Sequence, residues 1–317
     1  MTDAVPTSFE GVTPAVSVSG LTKRFGRVTA VDGVSLDIPS GGVFGLLGPN
    51  GSGKTTLLSM LSGFINPTDG SMTLFGHDGP AGQAQALHNV GALIERPIFW
   101  PYLSCRDNLK CLQGVYGSDG GDAEVEDLLD AVNLGGDAAR RKFRACSTGM
   151  KQRLGIAATL LGDPSLLILD EPTNGLDPVG IVEVRDLIRS LAAGGRRTVI
   201  LASHLLNEVE QVCDQVAVLR RGKLLYCGAV ADMSASASAL VRTTDDDRAV
   251  TALADAGWDI RSRSEDGLEV AVASGREWEI SRDLANAGVY ISQLRPASGS
   301  LEAGFMEVTG QAEQEPE

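Results

Sequence analysis

Gly48-Pro49-Asn50-Gly51-Ser52-Gly53-Lys54-Thr55-Thr56 fits the pattern G-x-x-x-x-G-K-[ST], and its residue types are those of an anion cradle. Glycines let backbone N–H groups turn inward around a phosphate, where a Cβ would stand in the way. Lys54 would reach β- and γ-phosphates, Thr55 would hold Mg²⁺, and Thr56 lies close to an α-phosphate. A second group is the adjacent carboxylate pair Asp170-Glu171. Asp170 suits a Mg²⁺ shell, and Glu171 suits general-base work on an attacking water. On a strand, neighbouring side chains point to opposite sides, which would keep the two roles apart. The third group is Ser147 with Gly149. Ser147 is a natural N-cap, and the helix end behind it is either an ordinary capped terminus or a second anion site. His204 is either a structural residue after a strand or a contact to a γ-phosphate.

These residues need particular elements to hold them. The apolar run Val43–Leu47 reads as a buried strand entering the loop. The pattern Thr55–Leu61 reads as the helix leaving it, stopping at Gly63. Leu166–Leu169 is apolar without alternation, as expected of a strand buried on both faces of a parallel sheet. Thr198–Ser203 is another such strand and delivers His204. Asn174–Pro178 reads as a tight turn and 179–191 as a helix. Val16–Leu21 and Val34–Ile38 alternate with period two around a turn at Gly26. Between them lies Phe25, either a hairpin-packing residue or a stacking platform for an adenine ring. Thr68-Asp69-Gly70 reads as a turn before a strand at 71–75. Residues 88–162 have a helical texture, with a capping box at Ser104–Asp107. Phe99, Trp100 and Tyr102 form an aromatic cluster, either core or a partner-binding groove.

The net charge of −14 argues against a nucleic-acid surface. The charge is unevenly spread: from residue 241 on there are 7 Arg, no Lys and 16 Asp or Glu, which marks a separate C-terminal unit. The domain reading is a disordered lead-in (1–15), a nucleotide-binding domain (16–232), a Ser/Ala-rich linker (233–239), an accessory α+β domain (240–310) of split βαβ type, and an acidic tail (311–317). The accessory domain is read as strand, helix, two strands, helix, strand and a last helix at 301–308. No apolar run approaches a membrane span, and the N-terminus lacks the marks of a signal peptide. The five cysteines show neither C-x-x-C spacing nor clustering with His and read as reduced thiols.

Taken in order, these stretches resemble the ATPase subunit of ATP-binding cassette transporters over about residues 16–232. The fold implied is α/β: a P-loop NTPase of the ABC type with an antiparallel β subdomain and a helical subdomain, here followed by the α+β unit. The family's L-S-G-G-Q signature corresponds to Cys146-Ser147-Thr148-Gly149-Met150, its D-loop to Gly175-Leu176-Asp177, its switch histidine to His204 and its adenine-stacking aromatic to Phe25. Glu95 stands where the Q-loop glutamine is expected, so its carboxylate would face the metal, and Met150 replaces the signature glutamine. The form S-x-G-M-K-Q-R-L looks like that of bacitracin and lantibiotic-immunity exporters. A weaker similarity links the C-terminal end to multidrug exporters. The resemblance implies ATP and Mg²⁺ as ligands. It implies a head-to-tail homodimer in which Ser147 and Gly149 of one subunit meet the γ-phosphate held by the other. It also implies a separate transmembrane permease, no nucleic-acid partner, and a place on the inner face of the cell membrane. The competing reading is a soluble ABC-type ATPase acting without a permease.

Overall fold

The computed structural model describes residues 14–117, 120–233, 238–264, 266–272 and 276–297, with Phe305 and Thr309. The chain divides into two compact units, Met1–Cys227 and Gly228–Glu317. The division falls a few residues before the expected join at 232. The expected acidic tail lies outside the described residues, as does most of the lead-in and of the last expected helix.

In the first unit, β1 (Pro14–Phe25) and β2 (Val28–Pro39) form an antiparallel pair. The strand starts two residues before Val16, where it is expected to begin, because Pro14 pairs with Pro39. β3 (Gly42–Leu47) runs into α1 (Lys54–Leu61). β4 (Asp69–Leu74) then pairs with β1, so Asp69 and Gly70 belong to a strand rather than to the expected turn. After α2 (Gly79–Ala86) comes the short strand β5 (Val90–Leu93). The helical layer follows: α3 (Cys105–Tyr116), α4 (Gly121–Ala131), α5 (Asp137–Arg140) and α6 (Thr148–Thr159). It begins at Cys105 and not near residue 88. Four residues of β5 are too few to display a period, and they join the edge of the central sheet instead. Ser104 caps α3 by accepting a hydrogen bond from Asp107 N at 3.0 Å, and Gly117 in the left-handed region ends it.

The remaining elements are β6 (Leu166–Asp170), α7 (Pro178–Ala192), β7 (Thr198–Ser203), α8 (Leu206–Val212), β8 (Gln215–Arg220) and β9 (Lys223–Ala229). One sheet has the order β2-β1-β4, and the other β5-β6-β7-β3-β8-β9. Strands β5, β6, β7, β3 and β8 are mutually parallel. Their carboxyl ends therefore lie along one edge, where open α/β sheets bind ligands. Every residue of β6 and β7 is buried, as continuous apolar runs require. Leu57, Leu58 and Leu61 of α1 share one core with Val16, Leu36 and Leu74 of the antiparallel sheet and Phe44, Ile168 and Ile200 of the parallel one. The phosphate-loop helix is thus held from both sides.

Gly91 marks a close approach of β5 to α6. A Cβ there would lie 1.9 Å from the carbonyl oxygen of Thr159, so the two elements would have to part. Gly91→Ala is expected to cost about 1–3 kcal/mol, seen as a fall in Tm of several degrees. An unchanged melting curve would mean that the contact is readily relieved.

The second unit contains a short helix α9 (Val230–Met233), then β10 (Ser238–Thr243), α10 (Asp246–Asp255), β11 (Ile260–Ser264), β12 (Gly267–Ala271), α11 (Glu277–Asn286) and β13 (Ile291–Ala297). Ser238 and Ala239 belong to β10, so the expected linker is shorter. The antiparallel sheet has the order β11-β12-β10-β13, the split βαβ arrangement. Ala239, Val241, Leu268 and Val270 pack with Leu253 of α10 and Ile280 and Leu284 of α11.

Candidate active site

The phosphate loop wraps the start of α1. Gly53 takes φ +105° as its N-cap and leaves the first N–H groups of the helix without a side-chain cap. A Cβ at Gly53 would lie 2.4 Å from the carbonyl oxygen of Ala30, and one at Gly48 2.2 Å from that of Leu219. Only glycine fits at either place, and the N–H groups stay available for an anion. An open cavity of about 410 Å³ lies over the loop, lined by Val28, Thr29, Ala30, Asn50 through Thr56, Glu171 and Arg221.

Lys54 is buried, and its ammonium donates to the carbonyl oxygens of Gly48 at 2.6 Å and Pro49 at 3.3 Å. Burial holds its pKa below the ordinary lysine value, against the opposing pull of Glu171 and Asp170. Its Nζ stands 3.7 Å from Glu171 Oε1. Thr55 Oγ1 donates to Asp170 Oδ2 at 2.7 Å. Burial raises the Asp170 carboxyl, and the negative charges of Glu171 and Glu95 add to the rise, while the Thr55 hydrogen bond and Lys54 oppose it. Asp170 Oδ1 is buried and has no hydrogen-bond partner. An unpaired anionic oxygen beside a threonine hydroxyl is the donor set that a hard, oxygen-seeking cation uses, so the residues fit Mg²⁺.

Glu171 departs from the expected geometry. β6 ends at Asp170, and Glu171 takes φ +50° while its N–H donates to Ala202 O at 3.0 Å. Strand alternation therefore stops one residue too early to separate the pair. The turn brings both carboxylates towards the Lys54 side of the loop. Glu171 Oε2 lies 2.7 Å from Nδ1 of His204, which stands directly after β7.

Glu95, just beyond β5, is exposed at φ +63°. Phe25 is 51% exposed at the end of β1. It pairs with Val28, which lines the cavity, while the Lys23 ammonium lies 5.1 Å from the ring centroid. Ser147 caps α6, its Oγ accepting from Met150 N at 3.2 Å. Gly149 lies in the first turn of α6, and the only described atom near its missing side chain is Leu176 Cδ2 of the D-loop stretch, at 3.8 Å. Ser147 and Gly149 are not among the described residues lining the phosphate-loop cavity. Of the aromatic cluster, Phe99 packs edge-on against Phe143 at 5.2 Å, whereas Trp100 and Tyr102 are exposed.

Sequence reasoning missed Arg221. It sits at φ +49° in the β8–β9 turn, whose Gly222 N–H donates to Ser52 O at 2.9 Å. The signal was present, since Arg221 directly follows a parallel strand at the ligand-binding edge.

A parallel sheet with a phosphate loop at its carboxyl edge, and a carboxylate pair two strands along, defines a P-loop nucleotide hydrolase. A family profile for ABC transporters matches residues 31–174. The ABC transporter ATP-binding protein YdbJ of Bacillus subtilis (strain 168) is 35% identical over 306 residues, covering 96% of this chain and 98% of its own. The bacitracin transport ATP-binding protein BcrA of Bacillus licheniformis is 41% identical over 210 residues, covering 66% and 68%. Among solved structures, cbiO1 of Clostridium perfringens, part of the ABC transporter complex cbiONQ, matches with a TM-score of 0.61 at 26% identity, covering 68% of this chain and 89% of that one. The chain belongs to the ABC transporter family, as an ATP-hydrolysing member.

Proposed function

We propose that this chain is the motor subunit of an exporter. It would work as a head-to-tail homodimer on a separate permease and move a drug, an antibiotic peptide or a lipid-like molecule. The observation that carries the dimer is the separation of two anion-binding helix ends. One opens onto the cavity lined by Lys54, Thr55 and Glu171; the other, capped by Ser147, does not line that cavity. Each is half of a site, and a second copy supplies the missing half. Lys54 and the loop N–H groups hold the phosphates, and Phe25 stacks on adenine. Thr55 and Asp170 would hold Mg²⁺, with Glu95 beside them, and the ion would supply neutralisation of phosphate charge. Glu171 takes the proton of the attacking water. His204 fixes the Glu171 carboxylate and contacts the γ-phosphate.

The cargo class rests on the S-x-G-M-K-Q-R-L form and on the relation to a bacitracin transport protein. No described helix is long and apolar enough to cross a membrane. The exposed Trp100 and Tyr102 are the surface offered to the permease. Purification of the tagged chain from membranes tests this: a membrane-spanning protein should accompany it, and recovery without one would favour a permease-free ATPase.

Glu95 offers a finer test. Its charge already acts on Asp170, so it would attract a cation and repel a bare γ-phosphate. Glu95→Gln is expected to lower apparent Mg²⁺ affinity in the ATPase assay by a few-fold, while ATP affinity without metal holds or improves. Superimposable metal titrations would leave Glu95 without a role at the ion.

A further inference from the structure

Two thiols in the helical layer take no part in the reaction above. Cys105 and Cys146 are 41 residues apart in sequence, yet their Sγ atoms lie 3.5 Å apart, and both are buried. Backbone pairing builds this approach. Cys105 N donates to Arg141 O at 3.1 Å, Phe143 N donates to Leu103 O at 2.9 Å, and Ser104 bridges Lys142. A single 3₁₀ turn, Phe143–Ala145, then delivers Cys146. Each thiol stands at the start of a helix: Cys105 is the first residue of α3, and Cys146 immediately precedes Ser147, the cap of α6.

We propose that Cys105 and Cys146 form an oxidation site that closes to a disulfide, with a peroxide as oxidant, and that closure impairs the Ser147 helix end. Cys146 is the first nucleophile, being 7% exposed where Cys105 is 0%. Burial pushes the Cys105 thiol up to about 12, so it stays protonated and is not the first of the pair to react. The Cys146 thiolate attacks one peroxide oxygen, the O–O bond breaks, and the departing hydroxide takes up the thiol proton as water. The Cys105 sulfur then attacks the sulfenic sulfur, the S–O bond breaks, and a second water leaves with the remaining proton. Two thiols lose two electrons, and the peroxide gains them.

Disulfide sulfurs sit about 2.05 Å apart, so closure brings the two sulfurs roughly 1.5 Å closer than they stand here and draws Cys146 towards α3. Ser147 is the adjoining residue, and its hydroxyl must hold both its cap geometry and its aim. The consequence for assembly rests on the reading of Ser147 as half of a composite site.

The test uses the full chain carrying Glu171→Gln and Cys111→Ser, the latter removing an exposed thiol. After hydrogen peroxide, peptide mass spectrometry without reductant should find Cys105 linked to Cys146, two hydrogens lighter. ATP–Mg²⁺-dependent dimerisation should weaken by at least about tenfold and return with dithiothreitol. Cys105→Ala should dimerise alike with and without peroxide. Failure to form the link, at peroxide doses that oxidise Cys111 in the chain retaining it, overturns the site, and this arm needs no further variant. A linked protein that dimerises as tightly as the reduced one overturns the effect of closure. A reduced protein that never dimerises overturns the reading of Ser147 itself and with it the consequence for assembly, while the linked peptide still decides the oxidation site.

Discussion

Glu171→Gln is expected to leave ATP binding intact and to slow hydrolysis by about 10²–10⁴-fold, the usual contribution of a positioned general base. Glutamine keeps the size of the side chain and a hydrogen bond to His204, which lies 2.7 Å from Glu171 Oε2. It has no carboxylate to take a proton. Lys54→Ala is the contrasting case. It removes the buried ammonium beside Gly48 and Pro49, so charge-assisted bonds to the phosphates disappear and nucleotide binding falls with turnover. Phosphate release and equilibrium nucleotide binding, measured on both variants, separate the two effects. Hydrolysis by Glu171→Gln at near the parental rate would remove Glu171 from the role of base.

The second large effect concerns assembly. Glu171→Gln should form a dimer with ATP and Mg²⁺ but not with ADP, as light scattering would read. Adding Gly149→Asp should abolish that dimer. A carboxylate placed against a γ-phosphate is a like-charge juxtaposition costing several kcal/mol, more than about a hundredfold in affinity. The substitution is well suited to the purpose, because a Cβ at Gly149 meets only Leu176 Cδ2 at 3.8 Å within the described chain. Loss of the dimer would then report charge at the interface, with the fold kept. A doubly substituted protein that still dimerises with ATP would show that α6 does not face the nucleotide.

The features legible in the sequence are those with local causes. The phosphate loop is legible because its glycines and Lys54 are contiguous. β6 is legible because Leu166–Leu169 admits no polar alternation. The α3 cap is legible because Ser104 and Asp107 have capping spacing. What escaped depends on distance or on a single dihedral angle. Val90–Leu93 is too short to carry a period, and only Gly91 against Thr159 marks its place. Glu171 turns by one residue in the left-handed region, which no alternation rule anticipates. Arg221 comes to the cavity through sheet order. The thiols of Cys105 and Cys146 have no telling spacing because the contact is made across 41 residues.

The bonds from Lys54 to the carbonyl oxygens of Gly48 and Pro49 set a threshold for any ligand. The loop carries its own competitor: an incoming group has to be a better acceptor than two backbone carbonyls before the ammonium turns towards it. A charged phosphate oxygen meets that condition; a ribose hydroxyl or a base nitrogen does not. A nucleoside, which has no such oxygen, is therefore expected to leave the Lys54 ammonium on its two carbonyls.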